Sequence, residues 1–448
     1  MGRRNVVSIV PVNDYVTIHP ALDFYDGKVI VAVGGKWQYN YDDGSVEFDN
    51  KPFCVISDGD KFGCNKRELA TRHLFHSGYL DIPVARWNFE DIEKFSREPE
   101  SLTFPEIHQQ IYKTFAYYMD FPDERIYSLL SCFTIYTYFY PLFNSAPVLQ
   151  LWGEFRTGKT KVCSLLEAMA FNPINSANIS SASVFRLIES RRATILLDES
   201  EDLMTTERAK DIRNMLLAGT GKSGETFRQE RDTKESFHTQ SYKVFSPKVI
   251  ANIAGIDIPA LQSRVIQITT LGTTDKTKEN RDVCLEDVVW QRIRNNLYCV
   301  CLLRSGEVIE KRESLPPHEF TGRTMSIWHG MFTIAALAGE GAWSDLTGYA
   351  QDNKERIEAS IEEMGEEPTL MLNKLIEMVK DKGVLYLTAE EMLMALKEFN
   401  FNSKRDLAMK LGRFGLHTKV LWLNEHYNRY YTLSKDRLQE LYGQRSSK

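Results

Sequence analysis

The sequence predicts an α/β protein with a parallel sheet at its centre, and three observations predict it. Between Ala146 and Thr270 short apolar runs ("PVLQLW", "ATILLDE", "PKVIANI", "RVIQI") alternate with helical stretches ("VCSLLEAMAF", "KDIRNMLLA"), the mark of buried strands joined by helices. One glycine-rich turn, Gly153–Thr160, falls between an apolar strand and an amphipathic helix. The 448 residues are 43% hydrophobic and 26% charged, which suits a globular chain too long for one ordinary core.

Residues 1–95 mix short alternating segments with turn signals ("KVIVAVGG", "WQYNYDDGSVEF", "PFCVISDGD") and predict a small β-rich module. Residues 96–145 turn helical and predict a collar or linker. Its run "YSLLSCFTIYTYFYPLF" is short for a membrane span and broken by Pro141, so a buried helix is expected and no membrane partner. The sheet core takes 146–275 and a helical lid 276–366, which ends in an acidic stretch before Pro368. In 367–448 three helices precede a two-stranded hairpin, the winged-helix pattern. The net charge of −6 excludes a protein that is basic all over, but not a local basic surface. Seven scattered cysteines and no signal peptide predict a cytoplasmic protein.

"GEFRTGKT" supplies Gly153-x-x-x-x-Gly158-Lys159-Thr160 in the strand-to-helix context that the phosphate-binding loop requires. Backbone N–H groups of Gly153, Glu154, Phe155, Arg156, Thr157, Gly158, Lys159, Thr160 and Lys161 are expected around the phosphates of ATP. Lys159 is expected at the β/γ-phosphates and the Thr160 hydroxyl at Mg²⁺. "ATILLDES" ends an apolar strand in Asp198-Glu199. Asp198 suits Mg²⁺, and Glu199 suits activation of the attacking water, so the pair predicts hydrolysis. Asn252 ends a third strand, where it orients that water or merely forms a turn. Arg264 precedes a further strand, either as a phosphate contact on a neighbouring subunit or as a surface cation. Arg323 opens a helix as a weaker phosphate sensor.

The order Gly153–Thr160, Asp198-Glu199, Asn252, Arg264, Arg323 resembles that of AAA+ ATPases. The resemblance implies Walker A, Walker B, sensor 1, an arginine finger and sensor 2. "IANIAGIDIPALQSRV" is similar to minichromosome maintenance helicases. "SVFRLIESRRATILLDESEDL" and "GRTMSIWHGMFTIAALAGEGAW" resemble superfamily 3-like helicases of plasmids, phages and integrated elements. It covers roughly residues 125 to 345. It implies a P-loop AAA+ core, ATP sites between subunits of a hexameric ring, and replicative DNA unwinding for a mobile element. A non-unwinding, ATP-switched DNA-binding initiator is the alternative.

A second run, "AGTGKSGE", has Leu216 where a phosphate loop needs glycine, and no strand leads into it. The half-polar runs that follow predict a hairpin. By the resemblance it points into a ring channel and grips DNA with Arg228, Arg231, Lys234 and His238; a solvated edge hairpin is the bland reading. In the C-terminal module, Lys404, Arg405, Lys410 and Arg413 on the third helix and Lys419 and Arg429 in the wing are the DNA-facing candidates. Cys54, Cys64, His73 and His76 lack the close cysteine pair of structural zinc sites, so a buried or solvated role is the default.

Overall fold

The computed structural model describes residues 14–35, 37–40, 42–49, 52–83, 86–176, 181–198, 209–231, 237–253, 256, 259–380, 383–399, 401, 403–412, 416–423 and 426–439. The chain forms two compact units, Met1–Lys354 and Glu355–Lys448.

The first unit begins with a four-stranded antiparallel sheet of Leu22–Tyr25, Lys28–Gly34, Pro52–Ile56 and Lys61–Gly63. Val29 to Val33 in its second strand are all buried, so this small sheet is covered on both faces. Trp87 ties the following segment down: its ring stacks on Tyr298 at 4.9 Å and its indole N–H donates to Asn295 at 2.6 Å. A buried Trp–aromatic stack of this kind contributes about 3–5 kcal/mol when truncated to alanine.

Helix α1 (Phe104–Tyr118) starts at a capping box, in which Thr103 and Glu106 each satisfy the other's backbone N–H. Helix α2 (Arg125–Tyr136) is buried along its whole length from Ile126 to Tyr136. That burial accounts for the apolar run beginning at Tyr127. Among the described residues no helix is long and apolar enough to cross a membrane.

The centre is a five-stranded, wholly parallel sheet. Its strands are β1 (Val148–Trp152), β2 (Pro173–Asn175), β3 (Thr194–Leu197), β6 (Lys248–Asn252) and β7 (Val265–Thr269). The antiparallel hairpin strands β4 (Glu225–Arg231) and β5 (Phe237–Lys243) intervene in the chain but pair only with each other. Across the sheet the order is β2-β3-β6-β1-β7, so β1 lies between two strands that come later in the chain. Side chains alternate between two cores, as the pleat requires. Leu149, Leu151, Leu196, Val249, Ala251, Ile266 and Ile268 enter the larger one. Val148, Ile195, Leu197, Ile250 and Val265 enter the other.

Helix α3 (Lys159–Met169), α6 (Val288–Glu313) and α7 (Gly322–Ala338) pack into the larger core. Helices α4 (Ser181–Arg191) and α5 (Ala209–Ala218) cover the opposite face. The division between units falls within α8 (Glu340–Val379).

The second unit runs helix, strand β8 (Val384–Leu387), helix α9 (Ala389–Ala395), helix α10 (Lys404–Gly412), strands β9 (Thr418–Leu423) and β10 (His426–Ser434). Its antiparallel sheet has the order β8-β10-β9. A separate core of Leu372, Leu375, Met392, Leu396, Leu407, Leu411 and Leu433 holds it together. Three helices and a hairpin are present in this unit. Strand β8, from "VLYL", is the addition: its alternate residues Leu385 and Leu387 pack on the core.

Candidate functional site

In a parallel sheet every strand ends at the same edge, and a ligand cleft opens there where the strand order reverses. Here β1 is at that reversal. The turn after it, Gly153–Gly158, leads into α3, whose first residue is Lys159. Gly158 sits at φ +89°, a conformation disfavoured for other residues, and a Cβ there would lie 2.8 Å from Met119 Cε. A Cβ on Gly153 would lie 2.4 Å from the Thr270 carbonyl. Thr157 pins the turn, donating to the Glu154 carbonyl and sharing a 2.9 Å bond with the Thr270 hydroxyl. The Lys159 ammonium donates to the carbonyls of Gly153 at 2.6 Å and Glu154 at 2.8 Å. It therefore lies folded over the turn.

Thr157, Gly158 and Lys159 line a cleft of about 740 Å³, together with Thr160, Lys161, Asp198 and Ile253. Asp198 follows the last residue of β3 and is buried. The turn's tight glycines, a helix N-terminus and a lysine suit a polyphosphate. Thr160 and Asp198 lining the same cleft suit a hard divalent cation. Phe155 is 80% exposed on the rim, and Arg156 takes φ +63°. Glu199 lies outside the described residues. Asn252 ends β6 opposite Trp152 of β1. It is buried and its side-chain Oδ1 accepts from the Gln150 side-chain amide at 2.9 Å. It backs the cleft, while its neighbour Ile253 lines it.

Lys161 donates to the carbonyls of Lys278 and Glu279, at 2.7 and 3.0 Å. Burial lowers its pKa below the usual lysine value. It anchors a flap rather than being left open to the cleft. That flap is the second wall, which sequence reasoning did not find. Tyr118 at the end of α1, with Met119 and Asp120 after it, lines the cleft with Leu271, Thr273, Lys278 and Val283. Lys278 donates to the Met119 carbonyl at 2.9 Å, and Thr273 to Asp120 at 3.1 Å. These residues follow no motif and lie roughly 150 positions apart. The one available signal is the break between the two helical stretches at Met119–Pro122.

Arg264 and Arg323 do not line the cleft. Arg264 immediately precedes β7, whose first residue pairs with Val148 at the start of β1, so it belongs to the opposite edge of the sheet. Arg323 donates to the Ser263 hydroxyl at 2.7 Å, which brings it beside Arg264. Arg264 donates to the Ala260 carbonyl. Its pKa is lowered by partial burial and by the Arg323 charge. Neither arginine is ion-paired with a carboxylate among the described residues.

The second Gly-Lys-Ser run lies at that same far edge. Lys222 donates to the Pro141 carbonyl at 2.7 Å, its N–H donates to Asn144, and Gly221 bridges to Ser145 just before β1. It fastens the hairpin's base to the segment leading into β1. The hairpin itself pairs seven residues deep, with Arg228 opposite Gln240, Glu230 opposite His238 and Arg231 opposite Phe237. The side chains of Arg228, Arg231 and His238, and all of Lys234, lie outside the described residues.

In the second unit Lys404 pairs with Glu390 and Lys410 lies over the Phe401 ring at 5.0 Å. Lys419 and Arg429 are exposed on β9 and β10. The Arg405 side chain and Arg413 lie outside the described residues. Among the described residues no group of three or more His, Cys, Asp or Glu side chains is placed to hold a metal. Cys54 is fully buried, its thiol pushed up by burial and by hydrogen bonding with Cys64. His76 bonds to the Ile18 carbonyl at 3.2 Å, and the His73 ring lies tilted against Tyr15, 5.4 Å between centroids.

No protein-family sequence model matches the chain, and no curated protein matches it in sequence. Among solved structures it is similar to the NrS-1 C-terminal region, at 12% identity and a TM-score of 0.35, covering 90% of this chain and 96% of that one. It is similar to the SCCmec type IV Cch active helicase at 11% identity and 0.35, covering 97% and 100%. With JCV helicase it shares 14% identity at 0.23, over 54% of this chain and 77% of that one.

Proposed function

We propose that this chain is an Mg²⁺-dependent ATPase of the AAA+ type that works as a ring, most simply a hexamer, and moves along DNA as a helicase or translocase. One observation carries the reading. A parallel sheet with the order β2-β3-β6-β1-β7 puts Lys159, Thr160 and Asp198 at one edge, and Arg264 with Arg323 at the other. The cleft's own turn carries Arg156, and a neighbouring copy would have Arg264 and Arg323 to offer from its opposite edge.

In this reading the turn from Gly153 to Lys161 binds the phosphates through backbone N–H groups. Lys159 exchanges its two carbonyl partners for phosphate oxygens. Thr160 and Asp198 hold Mg²⁺, which neutralises phosphate charge when bound. Glu199 takes a proton from the attacking water. Asn252, fixed by Gln150, orients that water. Arg264 and Arg323 of the adjacent subunit stabilise the charge of the transition state. The β4–β5 hairpin, with Arg228, Arg231, Lys234 and His238, and the winged-helix unit supply contacts to DNA phosphates.

The test is the ATPase rate with and without single-stranded DNA, alongside unwinding of a forked duplex. We expect stimulation by single strands. Glu199→Gln should lower turnover by about 10²–10⁴-fold while nucleotide still binds. Unwinding that survives in Glu199→Gln after ATPase is lost would sink the mechanism. Tight binding to one duplex sequence, with no stimulation by single strands, would point instead to an ATP-switched initiator.

A further inference from the structure

We propose that the wing of the C-terminal unit is a base-stacking platform for unpaired nucleotides, built from Trp422 and Tyr427 with Arg429 beside them. This rests on the DNA reading above and specifies the form of DNA that this unit takes.

Strands β9 and β10 pair Trp422 with Tyr427 and Val420 with Arg429. These four side chains share one face of the hairpin. On β10 that face carries Tyr431 and Leu433 further along, and both are buried in the unit's core. So the core-facing side of the sheet continues past the helices, and among the described residues the cover stops there. A hydrophobic face without cover is costly in water. Yet Trp422 is 57% exposed, Tyr427 74% and Val420 61%. The Trp422 and Tyr427 rings touch at 4.7 Å between centroids and are tilted by 56°. They are not stacked flat on each other, so neither ring consumes the other's open face.

Two features favour nucleic acid over protein as the occupant. The patch has only four side chains, far below the roughly 20–30 residues a side of a stable protein interface, whereas one or two rings suffice for a base. Charge agrees. From His417 to Tyr431 the sequence has Lys419, Arg429, His417 and His426 against one acid, Glu425, in a chain of net charge −6. Arg429, next to the rings, is placed to meet the phosphate of a base stacked on them. Stacking needs an exposed π-face, and bases inside a duplex do not offer one. The platform therefore favours single strands or frayed ends over paired DNA.

The experiment uses the full chain and fluorescein-labelled oligonucleotides, a 20-nucleotide oligothymidylate and a blunt duplex. Trp422→Ala/Tyr427→Ala should weaken oligothymidylate binding by about 5- to 100-fold. It should leave duplex affinity, DNA-free ATPase rate and salt slope unchanged. Trp422→Phe should retain most of the affinity. Arg429→Ala should reduce the slope of log K against log salt by roughly 0.7. If the wild-type chain binds the single strand and the double variant binds it equally well, the platform is overturned while the DNA reading stands. Equal loss on both substrates, or loss of self-association instead, also overturns it. A wild-type chain that binds neither oligonucleotide overturns this proposal and the DNA reading together.

Discussion

Lys248 opens β6 and has no exposed surface. Its ammonium donates to three carbonyls, Gly219 at 2.9 Å, Val244 at 3.0 Å and Ser246 at 2.7 Å. No carboxylate pairs with it among the described residues, and burial pushes its pKa down to about 7. The unfolded chain keeps this proton up to about 10.4. Below pH 7 both states are protonated and the cost of burying the charge stands in full. Between about 7 and 10 the unfolded state binds more protons, so this group makes stability rise with pH. We expect the urea-unfolding free energy of the wild type, relative to Lys248→Met, to improve by up to about 1.4 kcal/mol per pH unit between pH 7.5 and 9. A difference that is flat with pH would show that Lys248 stays charged throughout. Gly158 makes the same point about single residues. Its positive φ and its contact with Met119 both belong to the turn, which is why the motif specifies glycine there.

At the scale of elements the sheet does most of the positioning. Each strand brings its last residue to one edge: Trp152 before the glycine turn, Leu197 before Asp198, and Asn252. The strand starts bring Arg264 and the Lys222 anchor to the other. Arg264 thus lies at the edge of the sheet opposite its own cleft. Arg264→Ala should lower ATP turnover by about 10³-fold or more and change nucleotide affinity far less. If the proposed ring forms, mixing Arg264→Ala with Lys159→Ala chains should restore part of the activity, because one subunit would then supply the arginine and the other the cleft. Mixtures no more active than either variant alone would remove the arginine from the reaction of a neighbour. Arg323, held to Ser263 beside Arg264, should behave alike.

For the whole molecule, the second unit has its own sheet and core. Glu355–Lys448 produced alone should unfold cooperatively in urea and give dispersed amide resonances. A collapsed, uncooperative fragment would show that its core depends on the rest of the chain. The sequence by itself determined the classes of element and the heart of the cleft. Alternating apolar runs require buried strands, and a glycine turn between strand and helix admits few other conformations, so local chemistry was enough. It was also enough to reject Lys222, since Leu216 occupies the place of the first glycine. Only the tertiary structure decided which residues meet across distance. The flap of Met119, Asp120, Thr273 and Lys278, the pairing of Lys161 with carbonyls, and the company of Arg264 with Arg323 are contacts between segments far apart in the chain. No local pattern encodes such contacts, because they exist only once the sheet order is set. The exposed Trp422–Tyr427 pair is of the same kind: alternation placed both in strands, but only the packing of the helices decided where cover ends.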